Sequence, residues 1–327
     1  MEASSQPPIE IPPKSTKKML MLSVVFFLAL SMMLGTGAYL ILEQKKGERE
    51  RSLAALASST PQTVGNPESF STVSVEAHAA YVVDLSTNAV LYQKNASAQL
   101  PLASITKLMT ALLARQLIPL TTPVSISERA LMADGDSGLA LGQHWNRDSL
   151  INLTLVESSN DGASALALAG AGESGKNFLD EMNMQGKKLG MRETFYVNPT
   201  GLDLTGTQGG SYGSARDTAL LMSHIIQNYP DLVQATRFPL YSARSLEGAY
   251  LLVHNTNQDV IRIPGIIGSK TGFTDLAHGN LVVAFDRGLA QPVVVVVLGS
   301  SQTGRFRDVE TLITQTFSYY HQPIATP

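Results

Sequence analysis

The chain has 327 residues, 44% of them hydrophobic and 16% charged, and a formal net charge of −3 at pH 7. That length holds one large domain or two ordinary ones, and the lack of a basic excess argues against nucleic acid as a partner. Zero cysteines exclude disulfides, cysteine nucleophiles, thiolate zinc sites and iron–sulfur clusters.

Residues 1–18 hold four prolines among polar residues and read as a disordered tail. Met19 to Leu42 follows, 24 residues without a charge. As a helix it would be roughly 36 Å long, enough for a hydrocarbon core of about 30 Å. It exceeds the roughly 7–15 apolar residues of a signal peptide, so an uncleaved membrane anchor is the preferred reading. Lys14, Lys17 and Lys18 precede the span, and Lys45, Lys46, Arg49 and Arg51 follow it. The positive-inside rule therefore sets no orientation. Residues 43–51 are densely charged, and 52–75 are rich in Ser, Thr, Ala and Pro. Together, 43–75 read as a linker that holds a domain off a membrane. The folded part is expected over 76–320, with 321–327 as a short tail.

Ala80–Leu85 and Ala89–Gln93 are β-rich runs separated by Ser86-Thr87-Asn88, which predicts a hairpin. Ser104 to about Gln116 has helical spacing and no Pro or Gly. Residues 128–190 read as mostly helical, with candidate helices over 161–171 and 174–189. Residues 214–229 form another amphipathic pattern, stopped by Pro230. Ile266–Lys270, Asn280–Phe285 and Pro292–Leu298 then read as strands, and Arg305–Tyr319 as a closing helix. The expected class is α+β: one antiparallel sheet assembled from both ends of the domain and flanked by helices, plus a mostly helical subdomain.

Three short motifs carry the chemistry: Ser104-Ile105-Thr106-Lys107, Ser158-Ser159-Asn160 and Lys270-Thr271-Gly272. Singly each is weak. Ser15 and Lys18 repeat the first spacing in the tail, and Ser86 and Asn88 repeat the second in a hairpin turn. Ser104 alone reads as a helix cap with Lys107 on a solvated face, the middle motif as capping, and the third as a strand ending in a turn. As a set they say more. Residues three apart share a helical face, so the Lys107 amine can reach the Ser104 hydroxyl. A free lysine is neutral in only about one molecule in 2,500 at pH 7, so a lysine base needs burial or a second cation beside it. Lys270 is the natural second cation. Ser158 and Asn160 lie between helical segments and can face the same cleft. A hydroxyl there can relay a proton, and an amide can bond both substrate and lysine.

The flanks of these motifs resemble one family. Pro101-Leu102-Ala103-Ser104-Ile105-Thr106-Lys107-Leu108-Met109-Thr110 resembles the nucleophile helix of the D-alanyl-D-alanine carboxypeptidases, the low-molecular-mass penicillin-binding proteins. Asn198-Pro199-Thr200-Gly201-Leu202-Asp203, Ser214-Ala215-Arg216-Asp217 and Lys270-Thr271-Gly272-Phe273-Thr274-Asp275 resemble further family landmarks. The match runs over about residues 77–315. The resemblance implies a β-lactamase/DD-peptidase-like fold and a serine peptidase acting on peptidoglycan stem peptides that end in D-Ala-D-Ala. It implies Ser104 as nucleophile, Lys107 as base and Ser158 as the group that protonates the departing D-alanine. Asn160, Lys270, Thr271, Gly272 and Phe273 would bind substrate, with Lys270 and Thr271 on the terminal carboxylate. The amides of Ser104 and Phe273 would form the oxyanion hole. Penicillins would acylate Ser104 as covalent inhibitors, and no cofactor or metal is implied. The implied location is the bacterial cell membrane, single-pass, with the catalytic domain outside the cytoplasm.

Two departures stand out. Family members often add a C-terminal β-domain and a membrane-binding tail, which these residues do not include, so anchoring is expected from the N-terminal span. Where the family has Ala-Gly after the third motif, this chain has Ala277-His278-Gly279-Asn280, a one-position shift of the flexible residue. Among rivals, a DD-endopeptidase cutting crosslinks is the main alternative. A class A β-lactamase needs a deacylating glutamate, and Glu193 and Asn198 are spaced by four residues instead of three. A non-catalytic β-lactam sensor has no room for a signalling domain in the first 18 residues. The six histidines are scattered, without H-E-x-x-H, which argues against a zinc peptidase.

Overall fold

A computed structural model describes residues 70–135, 137–174 and 177–321. The expected tail at 1–18, the span at 19–42, the linker as far as residue 69 and residues 322–327 lie outside the described residues. Among the described residues no helix is long and apolar enough to cross a membrane. Phe70 and Val75, read above as linker, are buried, and the Phe70 ring packs on Tyr92 and Tyr319.

In chain order the main elements are β1 (Ala79–Asp84), β2 (Ala89–Lys94), α1 (Lys107–Leu117), α2 (Arg147–Val156), α3 (Asn160–Ser174), α4 (Phe178–Lys188) and α5 (Ala215–Asn228). A hairpin of β3 (Leu240–Arg244) and β4 (Tyr250–His254) follows. Then come β5 (Ile266–Thr274), β6 (His278–Asp286), β7 (Pro292–Ser300) and α6 (Gly304–His321). Five strands form one sheet in the order β5-β6-β7-β1-β2, with every neighbouring pair antiparallel. The sheet is thus assembled from both ends of the domain, as the sequence predicts.

The run of five valines at 293–297 is explained by a sheet covered on both faces. Val294 and Val296 join Tyr81, Val83, Val282 and Ala284 in the core beneath α1 and α5. Val293, Val295 and Val297 join Ala80, Val82, Val283 and Phe285 in the core beneath α6. Burying each such side chain contributes about 1.5–3 kcal/mol. Helix α1 is buried along every residue from Lys107 to Ala114, the mark of a helix enclosed on all sides.

The structure departs from the sequence reading in four places. Residues 133–135 and 137–146 are not helical: Gly135, Gly138 and Gly142 take positive φ, and Val124–Ser125 pairs with His144–Trp145 instead. The hairpin β3–β4 has no counterpart in that reading. Ser104 sits in a 3-10 turn, Ala103–Thr106, that leads into α1 rather than in the α-helix itself. Strand β5 runs to Thr274, so Lys270 lies inside the strand and not at its end.

Candidate active site

The entry to α1 packs directly on the edge strand β5. A side chain at Gly272 would meet the Leu102 carbonyl at 2.8 Å and the Ser104 amide at 3.2 Å, so only glycine lets the two backbones approach this closely. Buried Asn280, across from Gly272 on β6, ties the junction: its Nδ2 donates to the Pro101 carbonyl at 3.0 Å and its Oδ1 accepts from the Gly299 amide at 2.8 Å. Ala103 takes φ +48, a strained conformation for a residue with Cβ. The family's shifted glycine is accommodated because His278 adopts the left-handed conformation at φ +53, while Gly279 lies too close to the Ser301 carbonyl for any side chain.

The Lys107 amine is fully buried and sits 2.7 Å from Ser104 Oγ. It also donates to Asn160 Oδ1 and to the Thr200 carbonyl, each at 2.7 Å. Burial lowers its pKa to about 7. A neutral amine has two N–H groups and one lone pair. The Asn160 and Thr200 oxygens take the two donors, and the lone pair is left for the Ser104 hydroxyl proton.

A second serine and lysine pair faces the first. Lys270 is also fully buried, and its Nζ donates to Ser158 Oγ and to the Thr271 carbonyl, each at 2.8 Å. Burial first, then the charges of Lys107 and Arg305, hold Lys270 well below the usual lysine range. The expected neighbour of Lys107 is close enough for the two charges to interact, but burial alone is what lowers Lys107, and the repulsion falls on Lys270. Ser158 occupies a strained φ of +68 between α2 and α3, which turns its hydroxyl toward the lysine.

The structure joins Ser104, Lys107 and Asn160 by side-chain hydrogen bonds, and Ser158 and Lys270 by another, with the two lysines near enough for their charges to interact and Thr271, Gly272 and Phe273 following Lys270 on β5. Phe273 is exposed at the rim, and its backbone pairs with Gly279. Five contributors escape a reading of side-chain motifs. The Thr200 carbonyl reaches Lys107 because Asn198 Oδ1 accepts from the amides of Thr200 and Gly201, at 3.1 and 2.7 Å, and folds the turn. Gly201, at φ +81, is required there, since a Cβ would overlap the Ala103 carbonyl. The Asp134 carbonyl accepts from Asn160 Nδ2 at 2.6 Å and orients its amide. Arg305 Nη1, at the head of α6, donates to the Gly272 carbonyl at 2.7 Å. Burial brings Arg305 down to about 10, so it keeps its charge at neutral pH. Thr256 accepts a hydrogen bond from the Thr271 hydroxyl at 2.6 Å. The Asn198–Leu202 motif was the one signal in the sequence for the first of these.

An antiparallel sheet flanked by helices, with a helical subdomain closing a cleft over a serine at the head of a buried helix, is the fold of the DD-peptidases and penicillin-binding proteins. The chain belongs to the D-alanyl-D-alanine carboxypeptidase family, peptidase S11, whose model matches residues 62–302. It is 31% identical to the D-alanyl-D-alanine carboxypeptidase DacF of Bacillus subtilis, over 75% of this chain and 63% of that protein. It is 37% identical to the D-alanyl-D-alanine endopeptidase of Pseudomonas aeruginosa, over 67% of this chain and 70% of that one. The chain thus spans less than two thirds of the length of DacF. Among solved structures, penicillin-binding protein D2 of Listeria monocytogenes in its ampicillin-bound form matches with a TM-score of 0.65. That match has 30% identity and covers 75% of this chain and 99% of the other.

Proposed function

We propose that the protein is a serine-type D-Ala-D-Ala carboxypeptidase that trims peptidoglycan stem peptides through an acyl-enzyme on Ser104. The observation that carries this reading is the buried Lys107 amine 2.7 Å from the Ser104 hydroxyl. In the proposed reaction Lys107 Nζ takes the Ser104 proton as Oγ attacks the carbonyl of the penultimate D-alanine. The amides of Ser104 and Phe273 stabilise the oxyanion. The C–N bond then breaks, and the proton taken by Lys107 passes through the Ser158 hydroxyl to the departing amine, which leaves Lys107 neutral again. Water attacks the ester, Lys107 accepts its proton, and that proton returns to Ser104 Oγ as the ester C–O bond breaks. The terminal carboxylate lies against Thr271 and Lys270. An arriving anion there favours the charged form of Lys270, offsetting its burial. Penicillins acylate the same serine in this reading, in keeping with the ampicillin-bound relative. The 19–42 span would anchor the protein in the bacterial cell membrane with this domain outside the cytoplasm.

The higher identity to the endopeptidase keeps a second reading, cleavage of crosslinked peptides. Mass spectrometry of muropeptides digested with the purified full chain separates the two. Pentapeptides that lose one alanine support the carboxypeptidase. Dimers cut to monomers, with pentapeptides left intact, replace it with the endopeptidase.

A further inference from the structure

Thr256 stands in the stretch between β4 and β5 and joins two arms of the site. Its amide donates to the carbonyl of Val156 at 3.1 Å, the last residue of α2, two positions before Ser158. Its hydroxyl oxygen accepts the proton of the Thr271 hydroxyl at 2.6 Å. Its own O–H has the Val156 carbonyl only at 3.5 Å, too long for a strong hydrogen bond. Thr271 is buried, whereas Thr256 is half-buried.

A hydroxyl has one proton to give. In the unliganded site the Thr271 proton is committed to Thr256, so it is not available to an incoming anion. A carboxylate accepts hydrogen bonds and donates none. When it reaches Thr271, the Thr271 proton must turn to it, and the 2.6 Å contact survives only if Thr256 becomes the donor. The Thr256 proton is free to do so because its present partner is distant. Thr271 then receives a hydrogen bond on one side while giving one to the anion on the other, which strengthens both.

We infer that Thr256 is a positioning residue for recognition of the substrate's free C-terminal carboxylate: it reverses its hydrogen bond with Thr271 and so favours an anionic chain end over a neutral one. This rests on the carboxypeptidase reading above.

The test uses the full chain in detergent as wild type, Thr256→Val and Thr256→Ser. Two N-acetylated peptides end in D-Ala-D-Ala, one with a free carboxylate and one capped as the primary amide. Valine keeps the shape and removes the donor. Thr256→Val is expected to raise KM for the free acid by about tenfold while kcat changes by less than about threefold, the pattern of lost binding without lost chemistry. KM for the capped peptide stays unchanged, and Thr256→Ser keeps wild-type values for both. An unchanged KM for the free acid, or equal losses on both peptides, overturns the inference while leaving the carboxypeptidase reading intact. Should melting show that the valine variant does not fold, Thr256→Ala carries the same comparison. A wild type inactive on both peptides overturns the carboxypeptidase reading itself, and this inference with it.

Discussion

Lys270 Nζ donates to Ser158 Oγ at 2.8 Å across 112 residues of sequence, repeating the Lys107–Ser104 contact made at 2.7 Å within a single turn. The site is therefore two serine–lysine pairs facing each other, one local and one long-range. Among the described residues, each acceptor of the two buried amines is a hydroxyl, an amide or a carbonyl oxygen, and none is a carboxylate. With no counter-ion among these partners, burial drives both amines toward their neutral forms.

Removing the Ser104 hydroxyl removes the only atom proposed to form an ester. Ser104→Ala is expected to abolish covalent labelling by a fluorescent penicillin with no loss of thermal stability. Labelling at the wild-type level would remove Ser104 from the mechanism.

The Lys107 amine must be neutral to accept a proton. Its pKa is lowered to about 7, so the acylation rate is expected to rise with pH through about 7 and level off above it. A stopped-flow profile of penicillin acylation measures this, and a rate that falls over the same range contradicts it. Lys107→Ala should slow acylation by about 10²-fold or more, the usual loss for a general base, and should flatten the profile.

Gly201 lets the Asn198–Leu202 turn sit on the Ala103 carbonyl, and an added Cβ would also come within 2.6 Å of Thr106 Oγ1. Gly201→Ala is expected to destabilise the fold by about 2–3 kcal/mol through overpacking and the positive φ. It should also slow acylation, because the Thr200 carbonyl that holds Lys107 moves with the turn. Chemical denaturation together with acylation kinetics tests both effects, and a variant as stable and as fast as wild type refutes them.

Asp84 is fully buried at the sheet end remote from the site. It accepts from the amides of Ser86 and Thr87, from Arg287, and from the Tyr320 hydroxyl at 2.5 Å, with the Arg287 guanidinium stacked 3.5 Å over the Tyr320 ring. Burial pushes its carboxyl up, but the Tyr320 hydroxyl and the Ser86 and Thr87 amides outweigh that and hold it below the usual aspartate value. Its stabilisation is present above the unfolded aspartate pKa, near 3.9, and is lost as pH falls through the lower folded value. Asp84→Ala should cost about 3 kcal/mol, because it strands a largely buried guanidinium. It should also remove part of the acid sensitivity seen in thermal melts. Wild-type melting over the whole acid range would show that the cluster contributes little.

The expectations that succeeded rest on short-range patterns. Ser104 and Lys107 share one face because three residues make almost one helical turn, and β1, β2, β6 and β7 were legible as short β-rich runs bounded by turn residues. Among residues 133–135 and 137–146 the helical expectation failed at Gly135, Gly138 and Gly142: the glycines are visible in the sequence, but that each takes a positive φ and breaks a helix is set by the tertiary structure. The hairpin at 240–254 was missed because its outward face carries Leu240, Tyr250 and Leu252 beside Arg244 and His254, which blurs the alternation.

What the amino-acid sequence determined by itself was the set of side chains able to do the chemistry, and the local geometry of the Ser104–Lys107 pair. Only the tertiary structure decided their states and partners. Burial lowers Lys107, the Thr200 and Asp134 carbonyls orient Lys107 and Asn160, and Arg305 and Thr256 reach the third motif from distant elements. The physical reason is that backbone carbonyls are the same at every residue and desolvation depends on packing across the whole chain. Neither leaves a mark in the identity of neighbouring residues.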